Sequence, residues 1–279
     1  MNIRFEQILV PIDFTINTNV AIDKALSLAE SPNPILHLLH VQSSTRKTPI
    51  GYNFFSLFNN VQNVNKDENI IKTMQSLKIA IHQKRPDVAV MMHIVNDIPV
   101  EEAIIRTGRE IMPDIIILAK KSHHYLLPFL NTVVPTRLAQ QTQIPILTSK
   151  PGSINQTIKT IVVPIGNKFP QKKIDIINAL RRRSRIHIRL LTFRDDENSN
   201  QVSGILIHVY RLLRHGALSD IQCETISGKN KAKAILDYCE KVEADLLIVT
   251  PEAETKIGWL NKHISDVMPA ASKTQVLAI

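Results

Sequence analysis

The sequence predicts an α/β protein of two tandem doubly wound domains, each a five-stranded parallel sheet flanked by helices. Three observations predict it. Short, continuously apolar runs such as "IIIL" (115–118) and "LLIV" (246–249) alternate with helical patterns, as expected of parallel strands covered on both faces. The chain also repeats itself in fixed order: "ILVPID" (8–13) returns as "IVVPIG" (161–166), and "DIIILAKK" (114–121) as "DLLIVTPE" (245–252). "VVPTRLAQQTQIPIL" (133–147) likewise has a counterpart in "VMPAASKTQVLAI" (267–279). Finally, 279 residues suffice for two domains of about 140 each.

In the first copy the strands read near 7–12, 35–41, 89–95, 114–119 and 144–149, with helices near 18–30, 66–84, 98–111 and 133–142. In the second the strands read near 159–165, 186–193, 219–226, 245–250 and 274–279, with helices near 170–183, 201–215, 229–242 and 263–272. Alternating β and α units of this length build a doubly wound sheet. The polar stretch "SKPGSINQT" (149–157) marks the boundary, giving domains 1–150 and 151–279.

Composition excludes several classes. The chain is 44% hydrophobic and 21% charged, with mean hydropathy −0.03 and no run approaching a membrane span. "MNIRFEQILVPID" lacks the apolar core of a signal peptide, so a cytoplasmic protein is expected. Cys223 and Cys239 form neither a disulfide framework nor a zinc site, and Cys239, in a helical run, reads as a small buried residue. The net charge of +9 divides as +3 over 1–150 (15 Lys/Arg, 12 Asp/Glu) and +6 over 151–279 (19 and 13). Much of the excess lies in "RRRSR" (181–185) and "KNKAK" (229–233), at a helix end and a helix start. These runs read as solvated faces, favourable at a helix C-terminus for 181–185, so nucleic acid is not the expected partner.

Glycine is scarce: 8 residues, where typical usage of about 7% supplies about 20. The first 150 residues hold only Gly51 and Gly108. There is no G-x-G-x-x-G fingerprint, no Walker-type P-loop and no G-x-S-x-G elbow. A doubly wound sheet binds ligands beyond the carboxyl ends of its strands, which directs attention to Asp13, Val41 and the segment 119–132.

"ILVPIDFTINTNVAIDKALSLA" (8–29), "LHLLHV" (36–41) and "DIIIL" followed by a long loop and "TRLAQQTQIPIL" (136–147) together resemble the universal stress proteins. The second copy follows the same order, so the resemblance spans the chain as a tandem form. It implies the Rossmann-like, adenine-nucleotide alpha-hydrolase-like fold and an internal pseudo-dimer, with strands 144–149 and 274–279 antiparallel about a pseudo-twofold axis.

ATP-binding members carry Gly-x-x-Gly-x9-Gly-(Ser/Thr) after the fourth strand, and their first-strand Asp and the residue after the second-strand His meet the adenosine. On this chain the glycine positions fall on Ala119, Ser122 and Thr132, or the last pair on Asn131-Thr132, and none is glycine. Pro128 restricts the loop further. In the second copy, Gly166 replaces the Asp and the loop carries Pro251, Glu252 and Glu254, so no ATP binding in the family manner is expected there.

The first copy keeps Pro11, Asp13 and Val41 on the adenosine side. Lys120, Lys121, Ser122, His123 and His124, beside a helix N-terminus capped by Asn131 or Thr132, offer an anion site without glycines. The alternative is that Asp13 caps a turn and the lysines and histidines are solvated. Adjacent His123 and His124 do not make a metal pair, and no metal is expected. The insertion 44–69, with Tyr52, Phe54, Phe55 and Phe58, covers its own domain, forms a lid over the Asp13 side or offers a partner-binding patch.

The resulting expectation is a non-enzymatic stress-response or regulatory protein that has no required cofactor and does not bind ATP in the family manner. Its partners are an unidentified protein or a second copy of the chain. The alternative is a nucleotide- or anion-binding sensor using the first domain alone, with ATP or AMP as ligand. Catalysis through Ser122 lacks any base-and-carboxylate motif.

Overall fold

Apolar runs place ten strands in one sheet. The computed structural model describes residues 3–30, 32–42, 66–119, 134–149, 157–182, 184–194, 199–215, 220–228, 230–250, 256–257, 262–263 and 273–279. The first half contains β1 (Gln7–Ile12), α1 (Ile16–Leu28), β2 (Ile35–Gln42), α2 (Lys66–Lys84), β3 (Ala89–Asn96), α3 (Val100–Ile111), β4 (Ile115–Ala119), α4 (Pro135–Thr142) and β5 (Ile146–Ser149). The second contains β6 (Thr160–Pro164), α5 (Gln171–Arg181), β7 (His187–Phe193), α6 (Ser199–Arg214), β8 (Asp220–Ile226), α7 (Lys231–Lys241), β9 (Leu246–Val249), β10 (Lys256–Ile257), β11 (Lys262–His263) and β12 (Gln275–Ala278).

The sheet order is β3-β2-β1-β4-β5-β12-β9-β6-β7-β8. Each half is five parallel strands whose order reverses beside its first strand, and the halves join where β5 pairs antiparallel with β12 (Thr148 with Val276, Leu147 with Leu277, Ile146 with Ala278). This is the doubly wound α/β architecture that the alternation of apolar runs and helices predicts.

Helices cover both faces, so the central strands are buried throughout. Leu9, Val10, Ile116, Ile117, Leu247 and Ile248 are inaccessible to solvent, and each fully buried aliphatic chain stabilises the fold by about 1.5–3 kcal/mol. One apolar cluster packs α1, α2, α5 and α6 against one face and runs through Leu147 and Leu277 at the junction of the halves. The other packs α3, α4 and α7 against the opposite face. Cys239 belongs to this second cluster, and burial pushes its thiol up to about 12.

Helix ends depart from the expected ranges for local reasons. α4 starts at Pro135, which suits the first helical turn because it has no N–H to leave unbonded. α3 and α5 start immediately after Pro99 and Pro170. α7 starts at Lys231 because the Asn230 side chain accepts from Lys233 N at 3.0 Å. Of the helix expected over 263–272 only His263 is described, and it lies in β11, paired antiparallel with β10. Two-residue strands are too short to leave a periodic signal in a sequence. Arg182 is not merely solvated: it donates to Ile3 O and pairs with Glu30, tying the end of α5 to the first half.

Candidate functional site

The carboxyl edge of the first half brings Asp13 to the end of β1, Val41 to the end of β2 and Ala119 to the end of β4, with β1 between the other two. Pro11 is half-buried in β1 opposite Leu39. Val41 is half-buried opposite Val95 and packs on the second apolar cluster, whereas Ala119 packs on the first. Lys120, Lys121, Ser122, His123, Asn131 and Thr132 lie outside the described residues, as do His124, Pro128 and the aromatic side chains of the insertion.

Asp13 is exposed, and its carboxylate starts a helix. Oδ1 accepts from Thr15 N at 3.1 Å, Thr15 Oγ1 at 2.7 Å and Thr18 Oγ1 at 3.2 Å, while Asp13 N donates to Thr18 Oγ1 at 3.3 Å. The negative charge thus sits at the N-terminus of α1, where the helix dipole favours it. This network also explains why α1 begins two residues earlier than expected.

Two further residues shape this edge. Phe14 takes a left-handed backbone (φ 57°), and its ring lies 4.4 Å from that of His40. His40 Nδ1 is 3.2 Å from Ile12 O; since a carbonyl only accepts, Nδ1 carries the proton. Burial lowers the His40 pKa, opposed by the Ile12 carbonyl and Asp13, so the ring is neutral at pH 7. The only sequence signal for these roles is the spacing of acceptors and hydroxyls in "DFTINT" (13–18).

The second half is built differently at the same place. Gly166 stands at the Asp13 position with nothing within 4 Å of the Cβ it lacks, so its smallness serves no close contact. Lys173, buried on α5, donates from Nζ to Pro164 O, the last residue of β6, at 2.7 Å. The end of β6 thus carries a buried ammonium on the Pro164 carbonyl, whereas the end of β1 carries the exposed Asp13 carboxylate. Among the described residues, no group of three or more His, Cys, Asp or Glu side chains could hold a metal ion.

A polar niche lies under the outer strands of each half. His37 is 7% exposed, with Nδ1 3.0 Å from His93 Nε2 and Nε2 3.3 Å from Gln7 Oε1. Burial first, and His93 second, bring the His37 pKa down to about 4. The matching register positions in the second half hold Arg189 and Glu224, and Tyr238 Oη donates to Glu224 Oε1. Burial, reinforced by the Glu224 carboxylate, pushes the Tyr238 phenol up.

Residues 4–150 match the model of the Universal stress protein family. The chain belongs to that family. A universal stress protein from Archaeoglobus fulgidus has a similar structure, with TM-score 0.68 and 13% identity, covering 99% of this chain and 96% of that one. A putative universal stress protein from Pseudomonas aeruginosa gives TM-score 0.57 at 14% identity over 99% of this chain and 93% of its own. The cytoplasmic domain of a prokaryotic cation chloride cotransporter gives 0.55 at 13% identity over 98% and 94%. At such identities these likenesses establish the fold alone. No curated protein matches the sequence.

Proposed function

We propose that this member of the universal stress protein family is a non-enzymatic stress-response regulator whose two domains, 1–150 and 151–279, no longer hold ATP in the family manner. The observation that carries this reading is the state of Asp13. Its Oδ1 takes three hydrogen bonds from Thr15 and Thr18, so an adenosine hydroxyl would have to compete for an acceptor already used to start α1. The absence of every motif glycine along 119–133 and the buried ammonium of Lys173 at the second strand end support it. No helix among the described residues is long and apolar enough to cross a membrane, which accords with a cytoplasmic site of action.

Regulation on this reading works through contacts with a protein partner or a second copy of the chain, not through turnover. Titration calorimetry with ATP, ADP, AMP and cyclic AMP tests it. The expected outcome is that no isotherm depends on the first-domain site: Asp13→Ala leaves the heats of all four ligands unchanged. Binding abolished by Asp13→Ala would instead establish the first domain as a nucleotide sensor.

A further inference from the structure

The halves repeat one construction at the amino ends of their central strands and reverse its charge. Ahead of β4, Asp114 Oδ2 accepts from Glu6 N and Gln7 N, both at 2.8 Å. Ahead of β9, Asp245 Oδ2 accepts from Lys159 N at 2.9 Å and Thr160 N at 2.8 Å. These bonds match Glu6 with Lys159. Four residues before each aspartate stand Glu110 and Lys241. Three residues before the strand partners of Ile116 and Leu247 stand Gln143 and Lys273. Glu6, Glu110 and Gln143 thus become Lys159, Lys241 and Lys273, while the aspartate is kept.

In the second half these lysines border a cleft of about 570 Å³, within the usual size range of small-ligand sites. Both nearby carboxylates are engaged: Asp245 is 9% exposed and turned onto its two backbone donors, and Glu243, at the rim, pairs with Lys273 at 2.6 Å. Among the described residues, neither Lys159 Nζ nor Lys241 Nζ has an acidic partner. The α7 C-terminal carbonyls disfavour an anion, but Lys241 in the last turn offsets them.

We propose that this cleft binds a multiply charged phosphate chain, with Lys159 and Lys241 as its permanent contacts and Lys273 exchanging Glu243 for the anion. Thr157 and Thr160 supply neutral donors on the same wall. The described lining has no aromatic ring to stack a base, and Val242 is its only apolar member, so the recognised chemistry is the phosphate chain and not a nucleoside. The source is a free polyphosphate or the triphosphate of a nucleotide, and the two are separable.

The test is titration calorimetry of the full chain with inorganic tripolyphosphate and, separately, with ATP. Saturable binding is expected at about millimolar Kd or tighter, weakening with salt, with ATP no tighter than tripolyphosphate. Lys159→Glu with Lys241→Glu, which restores the charges of the first half, weakens binding by roughly tenfold or more. The Gln pair serves if charge reversal alters the circular dichroism spectrum, and Lys120→Ala with Lys121→Ala leaves binding unchanged. The proposal is overturned by no saturable heat up to roughly 10 mM, or by affinity indifferent to Lys159 and Lys241. Binding that follows Lys120 and Lys121, or ATP binding tighter than tripolyphosphate and lost with Asp13→Ala, overturns it equally.

Discussion

Asp13 illustrates how one carboxylate can be read two ways. The resemblance to ATP-binding stress proteins implies a ligand contact, whereas in the structure its Oδ1 accepts from Thr15 N and Thr15 Oγ1 at the start of α1. Asp13→Ala is therefore expected to destabilise the protein by about 1 kcal/mol, the usual loss of a helix-start acceptor, without changing its response to ATP. Urea denaturation and calorimetry on the same preparation check both halves of that statement. His37 sets a pH dependence. Its folded pKa of about 4 lies below the ordinary 6.5, because burial and His93 both disfavour the charged ring. The fold thus favours the neutral form. That contribution is complete above pH 6.5 and is lost as pH falls toward 4, up to about 3 kcal/mol for a shift of this size. His93 is lowered too, mainly by burial, with Glu110 opposing. Stability measured by urea at pH 7 and pH 5 should fall more steeply in the parent than in His37→Leu; equal slopes would refute the assignment.

Among elements, the pairing of β1 with β4 and of β6 with β9 depends on an aspartate that accepts two neighbouring N–H groups across the strand starts. Asp114→Ala leaves both donors without their acceptor and should cost about 2–4 kcal/mol, whereas Asp114→Asn keeps one oxygen there and should cost less. Chemical denaturation ranks the two, and an alanine variant as stable as the asparagine one would contradict this role. The aspartates were visible in the sequence as the residue ahead of "IIIL" and "LLIV", but their partners were not, since the bonded amides lie more than eighty residues away. The same limit explains what else was legible. Buried strands announce themselves through continuous apolar runs, and Pro99, Pro135 and Pro170 fix helix starts locally. The β10–β11 pairing has no such periodic signal. Asp13 and Val41 could be placed at the sheet edge from order alone; His40 could not be given its role, because that rests on the Ile12 carbonyl 28 residues away.

Across the whole molecule, the halves meet through the most buried kind of contact available, an antiparallel strand pair inside a continuous core. Leu147 and Leu277 face each other across that pair, each 2% exposed, and both belong to the cluster shared by α1, α2, α5 and α6. Arg182 adds a peripheral tie to Glu30 and Ile3 O, worth about 1 kcal/mol for a half-buried pair that solvent still reaches on the Arg182 side. If the shared core is what couples the halves, the chain unfolds as one cooperative unit, with calorimetric and van't Hoff enthalpies in agreement. Leu277→Asp tests that coupling most sharply. It places a carboxylate in the apolar junction and costs several kcal/mol, most of it to the second half, because Leu277 also pairs with Ile248 of β9, while the first half keeps its own strands unsubstituted. Differential scanning calorimetry should then resolve two transitions where the parent shows one. Arg182→Ala should lower the single transition slightly without splitting it. Two transitions already present in the parent would mean that the strand pair joins the halves without making their folding interdependent.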